Sequence, residues 1–103
     1  MTEVLFTLEF DELCECARLP RETLLEIIEV GIVEPQERRG ETWLFAAESV
    51  LVLRRAARLQ RELELDWPAI ALALRLLDEV EALRAENERL RRRLSRYEEG
   101  GES

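Results

Sequence analysis

Seven residues in the last third of the chain recur at the alternating four- and three-residue spacing of a coiled-coil seam: Leu76, Val80, Leu83, Asn87, Leu90, Leu94 and Tyr97. Val80, Asn87 and Leu94 take the a positions of the heptad and the remainder the d positions, with Ala73 and Ala69 extending the register backwards more weakly. A lone helix cannot bury such a stripe against itself, so a second copy of the chain is its natural cover. The feature predicts a homodimer and withdraws this segment from any core the rest of the chain can build. In the same register Glu79 and Glu86 fall at g and Arg84 and Arg91 at e, which would pair opposite charges between parallel strands, and a buried Asn87 suits that pairing. The same charges serve equally well as intrahelical pairs worth ~0.2–0.5 kcal/mol each, so the orientation of the coil stays open.

The string Glu62-Leu63-Glu64-Leu65-Asp66-Trp67-Pro68 marks where the long helix begins. Asp66 can cap it, and a proline in the first turn costs nothing because its missing amide has no intrahelical partner there. The expected organisation is a module over residues 1–65, a long helix over 66–97 and a frayed glycine-containing tail over 98–103.

Within the module, residues from Val4 to Phe10 alternate enough for a short extended piece. Asp11 is placed to cap a helix through about Ala17, which Leu19 and Pro20 end. Arg21 to Val30 reads as a second helix with Leu24, Leu25, Ile27 and Ile28 as its apolar stripe, closed by Gly31 in the left-handed conformation. Two short helices across a tight turn make a helix-turn-helix. The apolar runs Ile32–Pro35 and Thr42–Phe45, around a turn at Arg38, Arg39 and Gly40, predict a β-hairpin wing. A third helix from about Ala47 to Leu63 carries Val52, Ala56, Leu59 and Leu63 on its expected inner face. The predicted fold class is mainly α with a small hairpin: a winged helix-turn-helix followed by a dimerising helix.

Charge restricts the partners. Of the 23 acidic and 15 basic residues, twelve Asp/Glu and four Arg fall in residues 1–50, while the rest of the chain carries eleven of each sign. The whole net charge of −8 therefore belongs to the first half, which repels a phosphate backbone and attracts a basic protein. Cys14 and Cys16 are the only cysteines and the chain has no histidine, too few ligands for a closed zinc site, and on a helix the pair point to different faces. With no histidine, lysine or glycine-rich phosphate loop, neither a catalytic set nor a cofactor is expected. No apolar run approaches the ~18 residues of a membrane span and no signal-peptide pattern opens the chain, so a cytoplasmic location is expected.

The element order resembles the MerR transcription-regulator fold. In that family the second helix carries a Thr-apolar-Arg-Tyr-Tyr-Glu run and ends in Gly-Leu, with the Arg and first Tyr reaching DNA. This chain has Thr23, Leu24, Leu25, Glu26, Ile27 and Ile28, then Gly31 and Ile32 at matching spacing. The resemblance implies a retained scaffold whose reading positions now hold Leu25 and Glu26. Trp43, ahead of Phe45 in the wing, replaces a further family Arg. A DNA-binding regulator is the alternative function, and nucleic acid is an unfavoured partner on this surface.

A closer resemblance runs along almost the whole chain. Gly31-Ile-Val-Glu-Pro35, Thr42-Trp-Leu-Phe45, Arg58-Leu59, Glu62 to Pro68, and Glu86-Asn87 leading to Arg93-Leu-Ser-Arg96 look like the CbpM family of chaperone-modulatory proteins. This resemblance implies binding to the J-domain of CbpA, a DnaJ-type co-chaperone, and inhibition of its stimulation of the Hsp70 chaperone DnaK. An acidic module could cover the basic helix that J-domains present to Hsp70. Expected contacts are Glu26 and Glu29 on the second helix, Glu62 and Glu64 next to the Trp, and Asp66 and Trp67 at the start of the last helix. For each a structural role competes: surface charge for the glutamates, a cap for Asp66, packing on the preceding helix for Trp67.

Overall fold

The computed structural model describes residues 6–101 and is mainly helical. Its elements follow the order β1 (Thr7–Glu9), α1 (Phe10–Ala17), α2 (Arg21–Glu29), β2 (Glu37–Arg39), β3 (Thr42–Ala46), α3 (Ser49–Leu63) and α4 (Trp67–Gly101). The chain divides into two compact units, Met1–Ala71 and Leu72–Ser103. The predicted class, a MerR-like winged helix-turn-helix with a long last helix, is the class observed.

Three strands form an antiparallel sheet in the order β1-β3-β2. The expected extended piece is its first edge strand, with Leu8 opposite Phe45 and Glu9 opposite Leu44, although Val4 and Leu5 lie outside the described residues. The wing differs from expectation in its first strand, which is the polar Glu37–Arg39 rather than the apolar Ile32–Pro35 run. Gly40 explains the shift. Its φ of +61 lets Gly40-Glu41 form the two-residue loop that closes the Arg39–Thr42 pair, and the strand is counted back from that turn. Gln36 continues the ladder through its amide to the Leu44 carbonyl at 2.7 Å, while Val33 turns into the core.

Helix α1 starts two residues earlier than expected. Glu9 holds the cap position, and its amide donates to Glu12 Oε1 at 2.8 Å, the reciprocal half of a capping box. Asp11 therefore sits inside the first turn and pairs with Arg21 instead of capping. Both short helices close with Schellman motifs. After α1 the amides of Arg18 and Leu19 reach back to Glu15 and Cys14, and after α2 those of Gly31 and Ile32 reach Ile28 and Ile27. Gly31, at φ +87, takes the left-handed position assigned to it, but Arg18 occupies the same conformation at φ +60 without glycine's freedom.

The core of the first unit gathers Leu13, Cys14 and Ala17 of α1, Leu24 and Ile27 of α2, Val33, Phe45 of β3 and Leu53 of α3. Helix α3 buries Leu53 and Ala56, whereas Val52 and Leu63, expected inward, are exposed. With Leu51, Val52 and Leu53 consecutive, the helix offered two apolar stripes about 100° apart, and packing on α1 selected the one through Leu53. Glu64 ends α3 at φ +56, its amide bonded to the Gln60 carbonyl at 2.8 Å.

Asp66 caps α4 as expected: its Oδ1 accepts the Ala69 amide at 3.1 Å, and its carbonyl takes the first helical bond, from Ile70. The helix does not stop at Tyr97 but runs through Glu98 and Glu99 to Gly101. Glutamates extend a helix readily, so the expected tail is shortened from its N-terminal side. None of the described helices is long and apolar enough to cross a membrane.

Candidate partner-binding surface

The first unit carries an open cleft of about 300 Å³ lined by Glu9, Phe10, Asp11, Arg21, Leu25, Glu41, Thr42 and Trp43. Strand pairing builds it. Because Glu9 stands opposite Leu44, the β1–α1 junction brings Phe10 and Asp11 beside the Thr42–Trp43 end of the wing. The Asp11–Arg21 ion pair then joins the first turns of α1 and α2. Leu25, four residues after Arg21, shares its face of α2 and closes the third side.

The apolar part of the cleft is anchored from below. Phe10 and Trp43 are half-buried and pack on the core, and Trp43 meets the fully buried Phe45 edge-on, with centroids 6.3 Å apart and planes at 69°. Guanidinium groups cover parts of both rings: Arg21 Cζ lies 4.8 Å from the Phe10 centroid, and Arg38 Cζ lies 5.2 Å from that of Trp43. Leu25 is 46% exposed with no such cover from the core. Around these groups Glu9, Asp11 and Glu41 outnumber Arg21, so the rim is acidic.

The residues selected from sequence fall into two sets. Glu26 and Glu29 are exposed on α2, where Glu22 and Glu29, three and four residues from Leu25, lie beside it and extend the acidic edge. The second set lies at the α3–α4 junction. Glu62 and Glu64 are exposed there, Asp66 caps α4, and Trp67 is half-buried against the core cluster. The sequence marks Leu25 and Trp43 as replaced DNA contacts and puts Leu25 on the apolar stripe of α2, where it is instead exposed. Sequence reasoning passed over Phe10, Arg21 and Glu41, because strand pairing and the wing turn, not local spacing, bring them together.

The seam residues of α4 form the other candidate surface. Leu76, Val80, Leu83, Asn87, Leu90, Leu94 and Tyr97 are all exposed in the single chain. Within the helix Glu86 pairs with Arg89, and Arg91 Nε donates to Asn87 Oδ1 at 2.8 Å. Two members of the expected interhelical charge set thus have intrahelical partners, as the solvated-face reading allowed.

No group of residues that could hold a metal ion occurs among the described residues. Cys14 is buried and Cys16 exposed, both as free thiols. Burial pushes the Cys14 thiol above its ordinary value, with Arg21 opposing and Asp11 reinforcing the shift. A thiol held protonated is a poor nucleophile.

The model of the MerR HTH family of regulatory proteins matches residues 8–92, which covers the sheet, α1 to α3 and most of α4. A chaperone modulatory protein CbpM of Pseudomonas putida (strain GB-1) is 50% identical over 90 residues, covering 87% of this chain and 89% of the relative. One from Escherichia coli O9:H4 (strain HS) is 44% identical over 97 residues, covering 94% and 96%. With a family match along most of its length and relatives this similar end to end, the chain belongs to the MerR HTH family of regulatory proteins and, within it, to the chaperone modulatory protein CbpM family.

Proposed function

We propose that this protein is a chaperone modulator that binds the J-domain of a DnaJ-type co-chaperone of the CbpA kind and stops it from stimulating its Hsp70 partner, DnaK. The observation that carries the reading is the end-to-end similarity to proteins named chaperone modulatory protein CbpM. The chemistry of the first unit supports it. Residues 1–50, which lie within it, hold all of the net negative charge, and a J-domain offers Hsp70 a basic helix that such a surface attracts and can cover. The protein then acts by occupancy and catalyses nothing. The reading carries with it a cytoplasmic location, and a homodimer joined along Leu76, Val80, Leu83, Asn87, Leu90, Leu94 and Tyr97.

A MerR-type scaffold raises DNA binding as the rival. Leu25 and Glu26 on α2 argue against it, since a phosphate backbone gains nothing from an apolar side chain or a carboxylate. ATP hydrolysis by the Hsp70 alone and with its J-domain co-chaperone tests the proposal. Adding the protein should return the stimulated rate to the basal one and leave the basal rate unchanged. Undiminished stimulation at saturating protein, or sequence-specific retention of DNA fragments at physiological salt, would overturn it.

A further inference from the structure

The acidic first unit also carries a basic hollow. It lies between the end of α1 and the middle of α3, has a volume of about 400 Å³, and is lined by Ala17, Arg18, Leu19, Arg54, Ala57 and Arg61. We propose that this hollow binds a compact polyanion of the diphosphate kind, held by the guanidinium groups of Arg18, Arg54 and Arg61. The site is independent of the J-domain reading given above.

Residue size and one capping contact build it. Arg54, Ala57 and Arg61 follow one another on α3 at spacings of three and four, so they share a face and a methyl side chain stands between two long ones. Ala17 is equally short and is buried, and Leu19 packs against the core cluster to give an apolar wall. Arg18 enters from the other element, in the left-handed turn that ends α1. An Nη of Arg54 donates to the Cys16 carbonyl at 3.2 Å, at the C-terminal end of α1 where carbonyls lack helical partners. That bond holds the guanidinium at the hollow and uses only one of its five N–H donors.

Three cations thus converge on one hollow with no compensating carboxylate. No lining residue is acidic, and among the described residues none of the three arginines belongs to an ion pair. Elsewhere in this chain Arg21, Arg39 and Arg89 each pair with a carboxylate, as the excess of 23 acidic over 15 basic residues makes easy. Like charges gathered without a counter-ion repel one another, and a bound anion removes that cost. Guanidinium forks match phosphate oxygens two at a time, and three of them call for a ligand with more than one negative charge. The volume falls in the ~300–1,000 Å³ range of small-molecule sites. Compactness follows from the surroundings. A nucleic-acid backbone laid across the hollow would run on over a unit whose residues 1–50 hold the whole net charge of −8, whereas a ligand that fits inside meets only arginine.

Amide and arginine side-chain N–H shifts of the full chain, titrated with inorganic pyrophosphate at constant ionic strength, test the site. Saturable shifts should centre on Arg18, Leu19, Arg54, Ala57 and Arg61. Arg18→Gly removes one guanidinium and suits the left-handed turn better than arginine does, and Arg61→Gln removes another from an exposed helical position. The double variant should bind pyrophosphate about tenfold or more weakly with an unchanged circular dichroism spectrum, while Arg75→Gln in the other unit should change nothing. ADP separates the two sources of a diphosphate group: tighter binding than pyrophosphate assigns the site to a nucleotide, equal binding assigns it to the diphosphate alone, and either supports it. Shifts that grow without saturating and spread over the arginines of α4, or an affinity unaltered in the double variant, would overturn the site. So would a short DNA duplex that displaces pyrophosphate from these residues at physiological salt.

Discussion

In the unit that ends at Ala71, the side chains of Leu13, Leu24, Ile27, Phe45, Leu53 and Ile70 are fully buried, whereas every side chain from Arg75 to Glu99 in the other unit is exposed. Both stretches are rich in leucine. In the first, antiparallel strands, two short helices and a packed third helix bring leucines from distant positions together, and the core closes within one chain. In the second, leucines fall every three or four residues on one helix, where no fold of the segment can bring them into contact with each other's far side. Stability in the first unit is thus a property of the chain, and under the proposed homodimer it would be, in the second, a property of concentration.

The largest effects should come from attacking this contrast at its two ends. Leu24→Ala or Leu53→Ala should lower the stability of the first unit by about 2–5 kcal/mol in chemical denaturation, at any protein concentration, because each opens a cavity in a closed core. Leu83→Lys, at the centre of the seam, should have no effect of that kind. Sedimentation equilibrium should instead fall from twice the 12.1 kDa chain mass to the chain mass itself. The contrast breaks if the wild-type protein is a monomer at micromolar concentration, or if the Leu83 variant unfolds the first unit.

A smaller effect sharpens the boundary between the two behaviours. Asp66 supplies the side-chain cap of α4, and Asp66→Ala should cost about 1 kcal/mol. Asp66→Asn should restore most of it, since an amide oxygen also accepts the Ala69 N–H. An alanine variant as stable as the wild type would show that the packing of Trp67 and Ile70 alone fixes the start of the helix.

The smallest effect concerns pH. Because burial holds the Cys14 thiol protonated beyond its ordinary value of 9.0, the folded state binds that proton more tightly than the unfolded one. Its contribution is fully present below that value and is lost as pH rises through and above it. Cys14→Ser should flatten the alkaline limb of the stability profile, and a thiol reagent should modify Cys16 rapidly and Cys14 slowly. Equal rates would mean that the core cluster opens more readily than its burial indicates.

Much of this architecture was legible in the residues, and the failures share a cause. Gly31 announced a helix end because its conformation is open chiefly to glycine, and Asp66 announced a helix start because its carboxylate suits unpaired amides. Arg18 and Glu64 adopt the same left-handed conformation, yet nothing in their chemistry signals it. The inner face of α3 was misread because Leu51, Val52 and Leu53 support more than one stripe, and only the partner α1 decides among them. Strand β2 was missed because Glu37, Arg38 and Arg39 are solvated on an edge and carry no apolar alternation. The cleft was half legible: Leu25 and Trp43 stood out as departures from the DNA-reading pattern, but Phe10 joins them only through the pairing of β1 with β3.

The central claim is that a DNA-reading scaffold has become, in this chain, an acidic grip for a basic protein partner. Calorimetric titration of the full chain with the isolated J-domain of the co-chaperone, at low and at physiological salt, tests it most directly. The account predicts saturable binding at both, weaker at the higher ionic strength. No detectable binding at low salt would contradict it.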